Sequence, residues 1–224
     1  MSDLRVERRA SHAVLTLNRP EKRNALSASL RDEISDALDE LEHDSAMKCV
    51  VVTGSGPVFC AGFDLAEFET AARDEEFNRR LWASSDRYHD RVLRCPLPTI
   101  AAINGPALAG GFDLAIMCDL RIATTTARFA HPERAFGDVV YGPLHDLVGG
   151  AIAREIAIGG RELDAREALE WHLVDAVVEP DQLPAATQAL VDRVCGAPRD
   201  VLMRTKAKAL RRGGFGAEEP TLDL

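Results

Sequence analysis

Three short apolar runs constrain this chain more than any other feature. Cys49 to Thr53, Thr99 to Ile103 and Leu120 to Ala123 are rich in β-branched and small apolar residues and do not alternate with polar ones. A strand apolar on both sides has to be covered on both faces, which is the condition of strands in a parallel sheet. The first two runs end in Gly54-Ser-Gly-Pro and Asn104-Gly-Pro, both turn signals. Between the runs lie helical patterns. From Ser27 to about His43, Leu30, Ile34, Leu38 and Leu41 recur at helical spacing among charges, which predicts an amphipathic helix with one buried stripe. The charged stretch from Ala66 to Arg94 predicts a second, longer helix. Strands alternating with helices indicate an α/β sheet with crossover connections. Ahead of them, residues 4–9 and 12–18 read as a hairpin whose second strand is His12 to Leu17.

The last third is different. Helical patterns at 145–158, 164–171, 181–195 and 200–212 are punctuated by Gly159-Gly160 and by the strand-like segment Val174 to Val178. The organisation expected is a core over 1–180, a C-terminal helical region over 181–212 and a disordered acidic tail over 213–224. No linker separates independent domains. With 224 residues the chain can bury roughly 70% of its unfolded surface, so it needs neither disulfide nor metal to hold a core. Cys49, Cys60, Cys95, Cys118 and Cys195 are odd in number and mostly set among apolar neighbours, as reduced core thiols in a cytoplasmic protein are.

Charge removes several function classes. Asp and Glu number 36 against 27 Lys and Arg, interleaved, so no basic stripe exists for a nucleic-acid backbone. The N-terminal ten residues are charged, unlike a signal segment. The most apolar stretch, Thr99 to Cys118, is interrupted by Asn104, Gly105, Pro106, Gly110, Gly111 and Asp113, so it does not read as a membrane span. There is no G-x-S-x-G elbow and no H-E-x-x-H. Gly105 to Gly110 has phosphate-loop spacing but is followed by Gly111-Phe112 instead of Lys-Ser/Thr. Gly54-Ser-Gly56 lacks the third glycine of a dinucleotide fingerprint, because Phe59 stands there.

Two segments of similar design remain. Val58-Phe-Cys-Ala-Gly-Phe63-Asp-Leu and Asn104-Gly-Pro-Ala-Leu-Ala-Gly110-Gly111-Phe-Asp-Leu-Ala each lead from a strand through small residues into a helix. Small residues at a helix entry leave backbone N–H groups unshielded, and the helix dipole adds positive charge there. Two such entries facing one point make an oxyanion hole. The alternative is that the glycines only let a helix pack closely on the sheet.

These segments resemble the crotonase superfamily, the enoyl-CoA hydratase/isomerase family, and the likeness runs from about Val14 through the last helices. Arg19-Pro-Glu-Lys-Arg-Asn-Ala-Leu26 is similar to its early motif, Phe59 to Leu65 to its first oxyanion loop, and Ile103 to Leu114 to its second. Cys118 to Ala123 and Phe129-Ala-His-Pro-Glu133 continue in order. The resemblance implies a spiral of ββα units, a C-terminal helical region that mediates assembly into trimers or hexamers, and an acyl-coenzyme A substrate in fatty acid metabolism. Coenzyme A is then part of the substrate, and neither a separate cofactor nor a metal is expected.

By the same resemblance, the backbone N–H groups of Phe63 and Gly110 grip the thioester oxygen. Each such donor is worth about 3–4 kcal/mol to a transition state that gathers charge there. The family's two glutamates fall at Asp113 and Glu133. Asp113 is one methylene short, and a shift of about 1 Å in a base costs on the order of a hundredfold in rate. The leading expectation is an enoyl-CoA hydratase with Asp113 and Glu133 as its acid/base pair. A 3,2-enoyl-CoA isomerase using Glu133 alone and a non-catalytic acyl-CoA binder are the alternatives. Lys22 and Arg23 are candidates for the coenzyme A phosphates, and Ala25, Ala61, Asp64, Leu65 and Gly111 complete the implied substrate contacts. His131 is either a proton-transfer partner or a hydrogen-bonded structural imidazole. The segment Asp138 to Val148 is shorter than the family's usual one and brings Tyr141, His145 and Asp146 within possible reach of the acyl pocket. Family members also usually run longer at the C-terminus, where a further helix covers the site.

Overall fold

The computed structural model describes residues 2–215 and 220–224. In chain order the elements are β1 (Leu4–Arg8), β2 (His12–Leu17), α1 (Ala28–His43), β3 (Cys49–Gly54), α2 (Leu65–Ala71), α3 (Glu75–Arg94), β4 (Thr99–Ile103), β5 (Ala107–Leu108), α4 (Gly110–Met117), β6 (Leu120–Thr124), β7 (Arg128–Ala130), α5 (Gly142–Ala157), β8 (Leu163–Asp164), α6 (Ala165–Glu170), β9 (Ala176–Val178), α7 (Leu183–Cys195) and α8 (Arg199–Gly213). A six-stranded sheet runs in the order β1-β2-β3-β4-β6-β9, and a small second sheet in the order β5-β7-β8. The β1–β2 hairpin is antiparallel and every other pairing in the large sheet is parallel.

The unalternating runs are covered on both faces. Val50, Val52, Ala101 and Ile103 point into the main core, under α1, α3 and α4. Their neighbours Cys49, Val51, Ile100, Ala102 and Ile122 point the other way and meet Leu183, Leu190 and Val191 of α7. Each aliphatic side chain removed from water in this way contributes about 1.5–3 kcal/mol. The helix α7 is therefore the second cover of the sheet.

The two sheets are wound together. Each central strand of the large sheet is followed by a short extended segment and then a helical turn. After β3, Cys60 bridges in parallel to Ala107 of β5 before α2 begins. After β4 come β5 and α4. After β6 comes β7, parallel to β5, and then a 3-10 turn at Pro132–Ala135. This is the expected spiral of ββα units. It places Phe63, Gly110 and Glu133 just beyond the inner segment of three successive units.

Helix boundaries follow capping chemistry. Ser27 caps α1 by accepting from the Leu30 N–H at 3.2 Å, an interaction worth about 1 kcal/mol. The helix expected over Ala66–Arg94 is two helices. Asp74 accepts from the Phe77 N–H at 3.0 Å and starts α3 afresh after the α2 turn ends at Ala72.

The described parts of the C-terminal segment expected to be disordered make contacts with the body of the protein. Gly213 still belongs to α8, Gly214 closes that helix at φ +89°, and Phe215 packs on the main core. At Thr221, the N–H donates to Asp86 at 2.8 Å and the hydroxyl lies 3.0 Å from both Ser85 Oγ and His89 Nδ1. The Leu224 carbonyl accepts from the N–H groups of Tyr141 and Gly142. Satisfied backbone and side-chain partners hold these residues in place. Residues 216–219 lie outside the described residues. The five cysteines are free thiols, four of them buried. Among the described residues no helix is long and apolar enough to cross a membrane.

Candidate active site

The first of the two small-residue loops is held by the early motif. Asn24, at φ +55°, donates its side-chain amide to the carbonyls of Ser55, Val58 and Phe59 at 2.8–3.2 Å. The Leu26 N–H donates to the Gly62 carbonyl at 2.8 Å, and the Leu26 carbonyl accepts from the Asp64 N–H at 3.2 Å. Phe63 is thus clamped on both sides, while its own N–H has no acceptor among the described residues.

Phe63 is also held through its ring. The guanidinium carbon of Arg31, a fully buried residue, sits 4.4 Å from the ring centroid, a cation–π contact. Arg31 donates to the carbonyls of Leu26 and Leu81 at 3.1 and 3.0 Å. Sequence reasoning missed this residue, because a charge among helix residues reads as a solvated face. The only available signal was its place beside Leu30 and Ile34 on the buried stripe.

The second loop turns on Ala109. Its backbone has φ +52° and ψ −134°, a conformation that L side chains rarely adopt, and such geometry costs about 1–3 kcal/mol. In return the chain bends sharply from β5 into α4, and the Gly110 N–H is left without an acceptor among the described residues. Neighbouring atoms forbid side chains here. A methyl group on Gly62 would lie 2.6 Å from Ala109 Cβ, one on Gly110 would lie 2.8 Å from Phe63 Cδ1, and one on Gly111 would lie 2.3 Å from the Cys60 carbonyl. Gly111 serves close packing. Gly62 and Gly110 let the two loops meet edge to edge.

Asp113, on α4, and Glu133, in the 3-10 turn, converge with His131. His131 Nδ1 lies 2.9 Å from Glu133 Oε1 and 3.6 Å from Asp113 Oδ1. Asp113 Oδ1 and Glu133 Oε2 have no hydrogen-bond partner among the described residues. Burial pushes the Asp113 carboxyl up to about 7, helped by the Glu133 charge and opposed by His131 and the Val140 N–H. Burial alone would lower His131, but the hydrogen bond to Glu133 and the charges of Asp113 and Glu133 outweigh it and raise the imidazole above its ordinary value. These three are the one set of His, Cys, Asp and Glu residues, among the described residues, whose ligating atoms lie within 4.8 Å of one another. Within it, His131 Nδ1 and Glu133 Oε1 stand at hydrogen-bond distance.

A cavity of about 590 Å³ opens over the two loops and both carboxylates. Phe63, Ala61, Gly110, Asp113, Leu65 and Glu133, all singled out in the sequence, line it. The far wall was not foreseen. Phe68 and Trp82 meet edge to face there, and Phe136, His89 and Thr221 complete it. His89 is buried, which pulls its imidazole down to about 4 and keeps it neutral.

Several residues singled out in the sequence do not line this cavity. Tyr141, His145 and Asp146 do not line the cavity. The Tyr141 ring packs beside His145 at the start of α5, 5.8 Å between centroids, and against the main core. Asp64 caps α2 and pairs with Arg19 at 3.1 Å. Gly111 is buried under Cys60, and Ala25 offers its carbonyl to Arg19 at 2.6 Å. Lys22 and Arg23 stand exposed on the turn beside the first loop.

The family model described as "Enoyl-CoA hydratase/isomerase" matches residues 7–214. A curated relative, the short-chain-enoyl-CoA hydratase of Clostridium acetobutylicum, is 33% identical over 219 residues, 95% of this chain and 82% of the relative. Among solved structures, an enoyl-CoA hydratase/isomerase from Xanthobacter autotrophicus Py2 superposes with a TM-score of 0.87 at 36% identity, over 96% of this chain and 82% of that one. An enoyl-CoA hydratase from Mycobacterium smegmatis gives 0.85 at 33% identity, over 95% and 84%. The ββα spiral, the paired glycine loops and these matches together make the chain a member of the enoyl-CoA hydratase/isomerase family.

Proposed function

We propose that this protein adds water across the double bond of a 2-enoyl-CoA thioester. One observation carries the reading. Phe63 and Gly110, whose N–H groups are unpaired, and Asp113 and Glu133, each with one unpartnered buried carboxyl oxygen, line the same cavity. The thioester oxygen accepts from the two N–H groups, so the charge of the enolate is stabilised as it forms. Glu133, bonded to His131, takes a proton from water while the oxygen of that water bonds to C3. Asp113, the carboxyl that holds a proton near neutral pH, delivers it to C2. The product is a 3-hydroxyacyl-CoA. The aromatic wall of Phe68, Trp82 and Phe136 receives the acyl chain, and exposed Lys22 and Arg23 offer cations to the phosphates of coenzyme A. A cytoplasmic trimer or hexamer is the assembly that goes with this reading.

The test is a panel of enoyl-CoAs incubated in heavy-oxygen water and read by mass spectrometry. Label in the product supports hydration. A mass-neutral isomer replaces it with double-bond migration by Glu133 alone, and acyl-CoA binding without any product replaces it with a binding role.

A further inference from the structure

His131 occupies an unusual position between the two acids. Its side chain is wholly buried and its ring lies on that of Phe112, 4.6 Å between centroids. One nitrogen, Nδ1, faces both Glu133 Oε1 at 2.9 Å and Asp113 Oδ1 at 3.6 Å, and the two acids come from different turns of the spiral. Nε2 is buried with no partner among the described residues, so its environment does not commit the ring to any other bond. Cys60 from the first loop and Tyr88 from α3 also act on this set. Burial raises both, Cys60 to about 12, so each stays neutral near pH 7. Burial opposes charge on His131, but the Glu133 hydrogen bond and the charges of Asp113 and Glu133 outweigh it and favour the positive form beside the two acids.

Hydration leaves the pair in the wrong state for the next turnover. Glu133 ends with the proton taken from water, and Asp113 ends without the proton given to C2. We propose that His131 resets them. Its Nδ1 gives a proton to the Asp113 carboxylate and takes the one held by Glu133, restoring an imidazolium, a protonated Asp113 and an ionised Glu133. Only N–H and O–H bonds are exchanged. The longer contact needs to close by well under 1 Å to reach hydrogen-bond range. His131 is on this account a positioning residue that acts through the two acids. The inference rests on the hydratase reading.

The test pairs kinetics with titration. His131→Gln keeps a group able to bond Glu133 but unable to carry a proton. In rapid-quench experiments with a substrate enoyl-CoA, this variant is expected to make about one product per site in a burst and then to slow by about tenfold or more, whereas the natural protein shows no burst. Equal slowing of every turnover, or no slowing, overturns the relay. The second arm needs neither turnover nor that variant. Nitrogen NMR of the natural protein and of Glu133→Gln follows the His131 ring through its titration. A midpoint that falls in Glu133→Gln supports the coupling, and one that does not move overturns it. A protein that hydrates no enoyl-CoA loses the hydratase reading and with it the reset step, while the titration alone still decides whether Glu133 acts on the charge of His131.

Discussion

The guanidinium carbon of Arg31 sits 4.4 Å from the centre of the Phe63 ring while its nitrogens reach the carbonyls of Leu26 and Leu81. One buried side chain thus ties α1, α3 and the loop that carries Phe63 together. Replacing it by methionine removes the charged donor from the Leu26 and Leu81 carbonyls, at about 1.5–3 kcal/mol for each bond lost, so Arg31→Met should lose several degrees in Tm. Arg31→Lys restores charge without the fork and should recover only part of the loss. In both, kcat should fall more than KM rises. Thermal melts and steady-state kinetics check this.

A methyl on Gly110 would meet the Phe63 ring at 2.8 Å. Gly110→Ala must therefore push the two loops apart and misdirect both N–H groups. A loss on the order of a hundredfold in kcat is expected, with a folded protein. A variant that kept most of its turnover would remove the oxyanion role from this loop.

Ala109 holds a glycine-like conformation with an alanine side chain. Ala109→Gly releases that strain, and although glycine adds freedom to the unfolded chain, the net should be a gain of up to about 1 kcal/mol. Chemical denaturation with an unchanged slope and a raised midpoint is the expected result.

The buried Asp113 makes a signed prediction about pH. Its folded value of about 7 stands above the ordinary carboxyl value of 3.8, so between these limits the folded state binds more protons than the unfolded one. Its contribution is most favourable at low pH and is lost as pH rises through about 7. His131, also raised, acts in the same direction through its own range. Asp113→Asn removes the ionisable group. Its stability relative to the natural protein should therefore improve steadily from pH 4 to pH 8, by a few kcal/mol at most. Melting curves across that range would sink the assignment if the difference stayed flat.

Much of the architecture was legible because it depends on local pattern. The runs at Cys49, Thr99 and Leu120 need covering on both sides wherever they occur, and Ser27 announces its helix by its own side chain. The two loops and the acids Asp113 and Glu133 were legible through motif order. What escaped depends on partners distant in sequence. Arg31 looks like any helix surface charge until Leu81 and Phe63 are placed around it. Ala109 shows no glycine where a positive φ is needed. Tyr141 lies close to the site in sequence, yet its ring finds His145 and the core. Asp74 could have been read as a cap within the long charged stretch, but its neighbours continue the helical composition on both sides. Thr221 follows an acidic stretch with no apolar period, and only the Ser85, Asp86 and His89 face of α3 explains its place.

The two-sided sheet has a consequence for how the chain acquires its shape. The face formed by Cys49, Val51, Ile100, Ala102 and Ile122 is closed by residues 183–191, which are made long after the strands they cover. During synthesis those strands can pair and pack on one side while the other remains an apolar strip open to water. Such a strip is sticky toward other chains. Safe completion of the molecule therefore depends on α7, a helix none of whose residues lines the cavity and whose late arrival sets the period of greatest risk of aggregation.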